Sequence, residues 1–106
     1  MVTVNIAKDF GVETGARTYE DGKKSGQEFY ETLLRPKFDE AIKSKSKLRI
    51  ELDGTDGMAS SFLNEAFRRF GADYGSDHVW NNLILISNEV PKYIQRIKES
   101  IYEGKK

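Results

Sequence analysis

The stretch from Lys47 to Phe70 constrains the fold more than any other, because it predicts a strand, a turn and a helix in succession. Its first six residues alternate between polar and apolar side chains, the period of a strand with one face in a core. The dipeptides Asp53-Gly54 and Asp56-Gly57 then predict turns. From Ser60 onward a helix is predicted by apolar residues at helical spacing, namely Phe62, Leu63, Ala66, Phe67 and Phe70.

Two hydroxyl groups, those of Ser60 and Ser61, lie at the predicted start of this helix. The first turn of a helix has backbone N–H groups without intrahelical partners and carries the positive end of the helix dipole. The position therefore suits a bound phosphate, a phosphorylated serine, or a serine that only caps the helix.

The remaining chain predicts further strands and helices in alternation, which favours an α/β fold with right-handed crossovers. Strands are predicted at Val2–Ile6 and, as a shorter possibility, at Ala16–Tyr19. The continuous apolar run Leu83–Ile86 is typical of a central strand that is covered on both faces. The strands at the start, middle and end of the chain are expected to share one sheet, with the last two parallel.

Helices are predicted before the central strand and at the end of the chain. The first starts at Ser25 with a capping box, and Pro36 should kink or break it near Leu34 to Arg35. The glycine-containing segment Gly71 to Asn81 is expected to be a loop. Near-complete burial is expected for four apolar residues on these faces: Phe62, Phe67, Leu85 and Ile97.

The amino-acid composition argues against several classes of function. The 106 residues predict a single domain over 1–106, and 17 basic against 17 acidic side chains argue against a general nucleic-acid binder. The absence of cysteine and the single histidine argue against metal and thiol sites. No apolar run reaches membrane-spanning length and no signal peptide is evident, so we expect a cytoplasmic protein without a cofactor.

No enzyme motif is recognisable. The carboxylates of Asp53, Asp56 and Glu65 form a conceivable acid–base set, but Asp53 and Asp56 precede turn glycines, which is sufficient reason for their presence. We therefore expect a protein that is not an enzyme.

Two blocks of the sequence resemble the STAS-like domains of unknown function found in bacteria and phages. One runs from Leu52 to Phe67, and the other comprises Thr14–Tyr19, Asp21-Gly22 and Ser25–Phe29. This resemblance implies a small mixed sheet with helices packed on it. The chain is more distantly similar to the anti-sigma factor antagonists, in which a partner kinase phosphorylates a serine in an Asp-Ser-Ser-Gly-Leu turn. Aligned without gaps, Ala59–Leu63 matches that turn and places the modified serine at Ser61.

The resemblance implies a regulatory protein-interaction module whose partner is a histidine-kinase-like ATPase. The predicted contact surface comprises Ser60 and Ser61 together with the side of the helix expected to be exposed, namely Asn64, Glu65, Arg68 and Arg69. For Arg17 two interpretations remain. It contacts an anion near the helix start, or it pairs with a surface carboxylate or holds the loop. The alternatives for the whole protein are a sensor of a small anion or nucleotide, and an accessory subunit of a phage or defence complex.

Overall fold

A three-stranded parallel sheet forms the centre of the computed structural model, which describes residues 1–104. The strands are β1 (Val2–Asn5), β2 (Leu48–Glu51) and β3 (Leu83–Ile86), and their order in the sheet is β1-β2-β3. Both pairings are parallel. The predicted common sheet, the parallel pairing of the last two strands and the α/β STAS-like class are confirmed. Every pairing among the described residues is parallel, where the resemblance implied a mixed sheet.

Helices connect and follow these strands. The α-helices are α1 (Gly26–Phe29), α2 (Arg35–Lys43), α3 (Ser60–Tyr74), α4 (Ser76–Asn81) and α5 (Lys92–Gly104). Shorter turns are a π-helical turn at Ile6–Phe10, a 3-10 turn at Tyr19–Asp21 and a π-helical turn at Tyr30–Leu34. None of the described helices has both the length and the apolar character needed to cross a membrane.

All the crossovers leave their helices on one face of the sheet. The chain passes from β1 to the adjacent strand β2 and from β2 to the adjacent strand β3, so both crossovers run in the same direction across the sheet. Because crossovers between parallel strands are right-handed, the helices of both crossovers then lie on the same face. Strand residues that are aligned in the sheet point to the same face. The face beneath the helices carries Val2, Val4, Leu48, Ile50, Leu83 and Leu85, and the opposite face carries Thr3, Asn5, Arg49, Glu51, Ile84 and Ile86.

The core lies between the sheet and the helices and is rich in phenylalanine. Phe62, Phe67 and Ile97 are fully buried, as predicted. Leu85 remains half-exposed, so its predicted burial is wrong. Leu85 lies on the covered face, but β3 is the edge strand of the sheet, so only one neighbouring strand flanks this side chain. The apolar run predicted a central strand covered on both faces, and this prediction is also wrong.

The α-helical pattern is interrupted just before Pro36, as predicted, because the π-helical turn Tyr30–Leu34 separates α1 from α2. Two other local predictions differ from the structure. Ala16–Tyr19 forms no strand. The predicted loop Gly71–Asn81 is mostly helical, since α3 continues to Tyr74 and α4 follows after Gly75, whose φ of 93° ends α3.

Gly71 lies inside a helix, and not in the predicted loop, because the glycine is needed for helix packing. A β-carbon on Gly71 would collide with the backbone carbonyl group of Ile101 in α5. The glycine therefore marks the close approach of two helices, and the chain remains helical there because the lost helix propensity is only about 1 kcal/mol.

Candidate functional site

The start of α3 carries two serines whose hydroxyl groups are not used by the fold. The residue before the helix is Ala59, with φ −64° and ψ 147°, and it has no side chain that could cap the helix. Ser60 is exposed and Ser61 is half-buried. Among the hydrogen bonds of residues 1–104 neither hydroxyl takes part, so the alternative that one serine caps α3 is wrong. An alanine in the capping position leaves the first-turn N–H groups without a side-chain acceptor.

A polar groove of about 530 Å³ adjoins this helix start. Its walls come from the loop before α1, from α3 and from α5, and they comprise Arg17, Ser60, Asn64, Arg96, Glu99, Ser100 and Glu103. The groove thus brings together three of the predicted residues, Arg17, Ser60 and Asn64. Two guanidinium groups and two carboxylates line it, so its formal charge is balanced.

Asn64 joins the walls of the groove. Its side-chain oxygen accepts a hydrogen bond of 2.8 Å from Arg17, and its side-chain nitrogen donates to Ser100 Oγ at 3.2 Å and to Glu103 Oε2 at 3.3 Å. One amide therefore links the N-terminal loop, α3 and α5. Sequence reasoning missed the α5 residues because nothing in their spacing shows that this face of α5 lies beside α3.

Glu65 is buried, which corrects the prediction that it lies on an exposed face. Its exposed fraction is 4%, and its carboxylate binds three arginines. Arg69 Nε lies 2.5 Å and Arg68 Nη2 3.0 Å from Oε2, and Arg17 Nη1 lies 3.6 Å from Oε1. Arg17 thus pairs with a carboxylate, as its second interpretation predicted, but with a buried one rather than one on the surface, while its own side chain stays about half-exposed at the groove.

The arginines also set the ionisation of Glu65. Burial favours the neutral acid and acts to raise the pKa of this carboxyl group, but the hydrogen bonds and charges of Arg69 and Arg68 outweigh it. The pKa of Glu65 therefore lies below its ordinary value, and the side chain is a carboxylate at neutral pH. It holds Arg68 and Arg69 in place while their guanidinium groups stay partly accessible.

The loop that carries Arg17 is attached to the start of α1. The N–H groups of Gly26 and Gln27 donate to the carbonyl groups of Ala16 and Arg17, both at 2.9 Å. Gly26 has no β-carbon, and one there would collide with the carbonyl of Phe62. This close approach of α1 to α3 brings Arg17 within reach of Asn64 and Glu65.

The turn after β2 has a structural role. Asp53 accepts hydrogen bonds from the N–H groups of Glu89 at 2.8 Å and Asn88 at 2.9 Å. These bonds, that of Glu89 most of all, outweigh desolvation and lower the pKa of Asp53. Gly54 in turn donates its N–H to the carboxylate of Glu89 at 2.8 Å. Asp53 therefore joins the ends of β2 and β3 and is not set up as a proton donor.

The sequence profile of a STAS-like domain of unknown function (DUF4325) matches residues 25–93. The chain belongs to this family. The match includes the turn after β2 and all of α3. Of the other block that resembles the family, Ser25–Phe29 lies within the match, while Asp21-Gly22 and Thr14–Tyr19, with Arg17, lie outside it. No curated protein and no solved structure shows significant similarity to the chain.

The family match and the geometry together outline the site. Ser60, Ser61, Asn64, Glu65, Arg68 and Arg69 all lie within the matched residues. Of the groove residues, Arg17 and the α5 members Arg96, Glu99, Ser100 and Glu103 lie outside the match. Among residues 1–104 no three acidic or histidine side chains are grouped so that they could hold a metal ion.

Proposed function

We propose that this STAS-like domain is a regulatory protein-interaction module that is switched by phosphorylation of a serine at the start of α3. The observation that carries the proposal is the pair of serine hydroxyls at the first two positions of a 15-residue helix, neither of them bonded within residues 1–104. The fold does not need these hydroxyls, and they remain available for modification.

The switch would act through charge. A phosphate group on Ser61 adds about −1.5 to −2 charges at the positive end of the α3 dipole. Within the domain this charge is tolerated at a helix N-terminus. A partner that docks on the same surface must accommodate the phosphate or dissociate. Ser61 is the position matched to the modified serine of the anti-sigma factor antagonists, and the more exposed Ser60 is the second candidate.

The proposed docking surface continues along α3 from the serines. Asn64 is half-buried at the groove, and Arg68 and Arg69 expose about a third of their side chains each. Glu65 contributes by holding the two arginines, since its own carboxylate is buried. By resemblance to the anti-sigma factor antagonists, the partner is a histidine-kinase-like ATPase that both binds and phosphorylates this surface.

The test uses the purified protein and the histidine-kinase-like ATPase encoded nearest to it in its genome. With ATP, mass spectrometry should show the addition of one phosphoryl group to wild type and none to a protein with both Ser60→Ala and Ser61→Ala. In titrations, Ser61→Asp should weaken ATPase binding by about tenfold or more while Ser61→Ala binds as wild type, because only the aspartate imitates the added charge.

Asn81→Asp is the matched control, because it adds the same charge on α4, which follows the far end of α3. Equal ATPase affinity for wild type and Ser61→Asp, with no phosphorylation, would refute the switch. Saturable binding of inorganic phosphate to the unmodified groove, without affinity for the ATPase, would instead favour a small-anion sensor.

A further inference from the structure

The outer edge of β3 is an apolar strand without a partner among residues 1–104. Leu48 donates its N–H to Asn82 at 2.9 Å, and Leu52 donates to Ile86 at 2.8 Å, so residues 82, 84 and 86 direct their backbone groups toward β2. Because backbone groups alternate along a strand, Leu83, Leu85 and Ser87 direct their N–H and C=O groups away from the sheet. No backbone bond within the described chain uses them.

Three of the four side chains of β3 are also incompletely covered, while that of Leu83 is buried. Ile84 and Ile86 lie on the face opposite the helices, and both are half-exposed, as is Leu85. A parallel sheet normally has both faces covered, which is why its strands are apolar throughout. On this open face the neighbouring strand β2 carries Arg49 and Glu51. These two side chains form an ion pair with each other and are partly exposed to solvent. The unsatisfied apolar surface is therefore confined to the edge strand.

The edge lacks the charged side chains and the proline that commonly prevent strand association, although β3 is only four residues long. Proteins usually protect such an edge with a lysine, a proline or a bulge. Residues 81–88 read Asn-Asn-Leu-Ile-Leu-Ile-Ser-Asn and contain neither charge nor proline, in a chain that is 32% charged. In a two-fold interface each residue patch meets its own copy, so a charged edge would repel itself. This neutral edge is self-compatible.

We propose that β3 pairs antiparallel with β3 of a second copy of this chain and so creates a continuous six-stranded sheet. The outward-directed groups define the register. A two-fold axis at Leu85 places Leu85 opposite Leu85 of the second copy and Leu83 opposite Ser87, so that all three outward-directed residues of each strand are hydrogen-bonded. An axis at Ile84 would pair only Leu83 and Leu85 and leave Ser87 without a partner.

The same register brings the exposed isoleucines together. Ile84 lies opposite Ile86 of the second copy, twice, in pairs that are not hydrogen-bonded and whose α-carbons are therefore about 4.5 Å apart. Contacts between side chains that lie opposite each other stabilise an antiparallel strand pair, and pairs of β-branched residues such as isoleucine suit these positions. The inference concerns a different part of the molecule from α3 and does not depend on the proposed switch.

Disulfide cross-linking tests the register directly, since the chain contains no cysteine. An α-carbon separation near 4.5 Å suits a disulfide, whereas the diagonal neighbours, about 7–8 Å apart, exceed its usual span. Under mild oxidation, a mixture of Ile84→Cys and Ile86→Cys proteins should therefore give a covalent dimer of twice 12.1 kDa. Either variant alone should give several-fold less covalent dimer than the mixture. Thr3→Cys, on the other edge strand of the sheet, should give no covalent dimer.

Association without cross-linking is the second measurement. Sedimentation equilibrium of wild type should show a reversible dimer. The double variant Ile84→Lys with Ile86→Lys should raise its dissociation constant by about tenfold or more, because lysines would face each other across the strands. Thr3→Lys, on the exposed face of β1, controls for added charge, and circular dichroism verifies that every variant is folded.

Three results would overturn the proposal. The first is a wild-type protein that stays monomeric at its highest soluble concentration. The second is a dimer whose dissociation constant is the same in the lysine variant. The third is efficient cross-linking of Ile84→Cys alone, which would show that the axis lies at Ile84 and that the stated register is wrong.

Discussion

At the scale of single residues, Glu65 shows how one buried charge organises a surface. Its carboxylate is the common partner of Arg17, Arg68 and Arg69, which come from the loop before α1 and from α3 itself. A buried carboxylate is tolerated only when it is paired and hydrogen-bonded. The three arginines meet this need and remain partly in solvent, so the proposed docking surface depends on a residue that a partner does not touch.

Glu65→Gln should lower the free energy of unfolding at pH 7 by about 1.5–3 kcal/mol, the usual contribution of hydrogen bonds to a charged group. The pKa of Glu65 is lowered in the folded protein, so its contribution is present above the ordinary value of 4.5 and is lost as the pH falls through the folded pKa. Urea unfolding between pH 7 and pH 3 should therefore show a weaker acid dependence in the variant.

Glu13→Gln serves as the control for Glu65→Gln, because Glu13 is exposed. An exposed charge away from any ion pair should change stability by no more than about 0.5 kcal/mol. If the two variants had the same stability at pH 7, the buried cluster would not form in solution.

Phe67 represents the core at the same scale. It is fully buried and contacts the rings of Phe29 and Phe70, with centroids 6.5 Å and 6.3 Å away. Phe67→Ala should therefore lower the free energy of unfolding by about 3–5 kcal/mol. Val12→Ala, at an exposed position, should cost far less. A loss below about 1 kcal/mol for Phe67→Ala in denaturant unfolding would contradict the burial of this face of α3.

At the scale of elements, the contact of α3 with α5 depends on glycine. Gly71 and Gly104 both lie where a β-carbon would collide with the backbone of the other helix. Ser76 adds a buried hydrogen bond of 2.8 Å to the carbonyl of Ile101, at the C-terminal end of α5. Close backbone approach at these two glycines therefore helps to position α5 and with it the α5 wall of the polar groove.

Gly71→Ala tests this packing against simple helix propensity. Alanine in a helix interior is favoured over glycine by about 1 kcal/mol, so an uncrowded site would be stabilised. Because the new methyl group meets the rigid backbone of Ile101, we expect a loss of about 1–3 kcal/mol instead, the usual cost of overpacking. A higher free energy of unfolding in urea for Gly71→Ala than for wild type would show that α5 does not approach so closely.

At the scale of the whole molecule, one core joins the sheet to every long helix. The buried set runs without interruption from Val4 in β1 to Ile101 in α5. The single-domain organisation over residues 1–106 stays a prediction, and unfolding tests it. A single core predicts one cooperative transition, in which all probes report the same midpoint.

Trp80 makes this measurement convenient, because it is the only tryptophan and packs against the core from α4. Its fluorescence and the far-UV circular dichroism of the helices should give coincident urea transitions. Two separated midpoints would show that the α4 region unfolds independently. Since a dimer would make the midpoint depend on protein concentration, the comparison belongs at one concentration.

The sequence alone determined the three strands of the sheet and the order of the main elements, but it missed α4 and predicted a strand at Ala16–Tyr19 that does not form. Alternating and helical periodicities reflect which side of an element is buried, so they were sufficient to predict β1, β2 and α3. The helix between β2 and β3 was sufficient to predict that these two strands pair in parallel. The periodicities were also sufficient to place Ser60 and Ser61 at a helix start. Apolar periodicity carries no information on how far an element lies from the edge of a sheet, which is why β3 was expected at the centre.

Tertiary structure alone decided which distant residues meet. Glu65 is buried because loop and helix arginines converge on it, and the groove exists because α5 lies against α3 where two glycines permit it. Arg68 and Arg69 are neighbours of Glu65 on α3, but the contacts that link separate elements, from Arg17 to Asn64 and from Asn64 to Ser100, join residues 47 and 36 positions apart. Local sequence cannot encode such contacts visibly, because they depend on how the helices pack on a shared sheet rather than on the preferences of neighbouring residues.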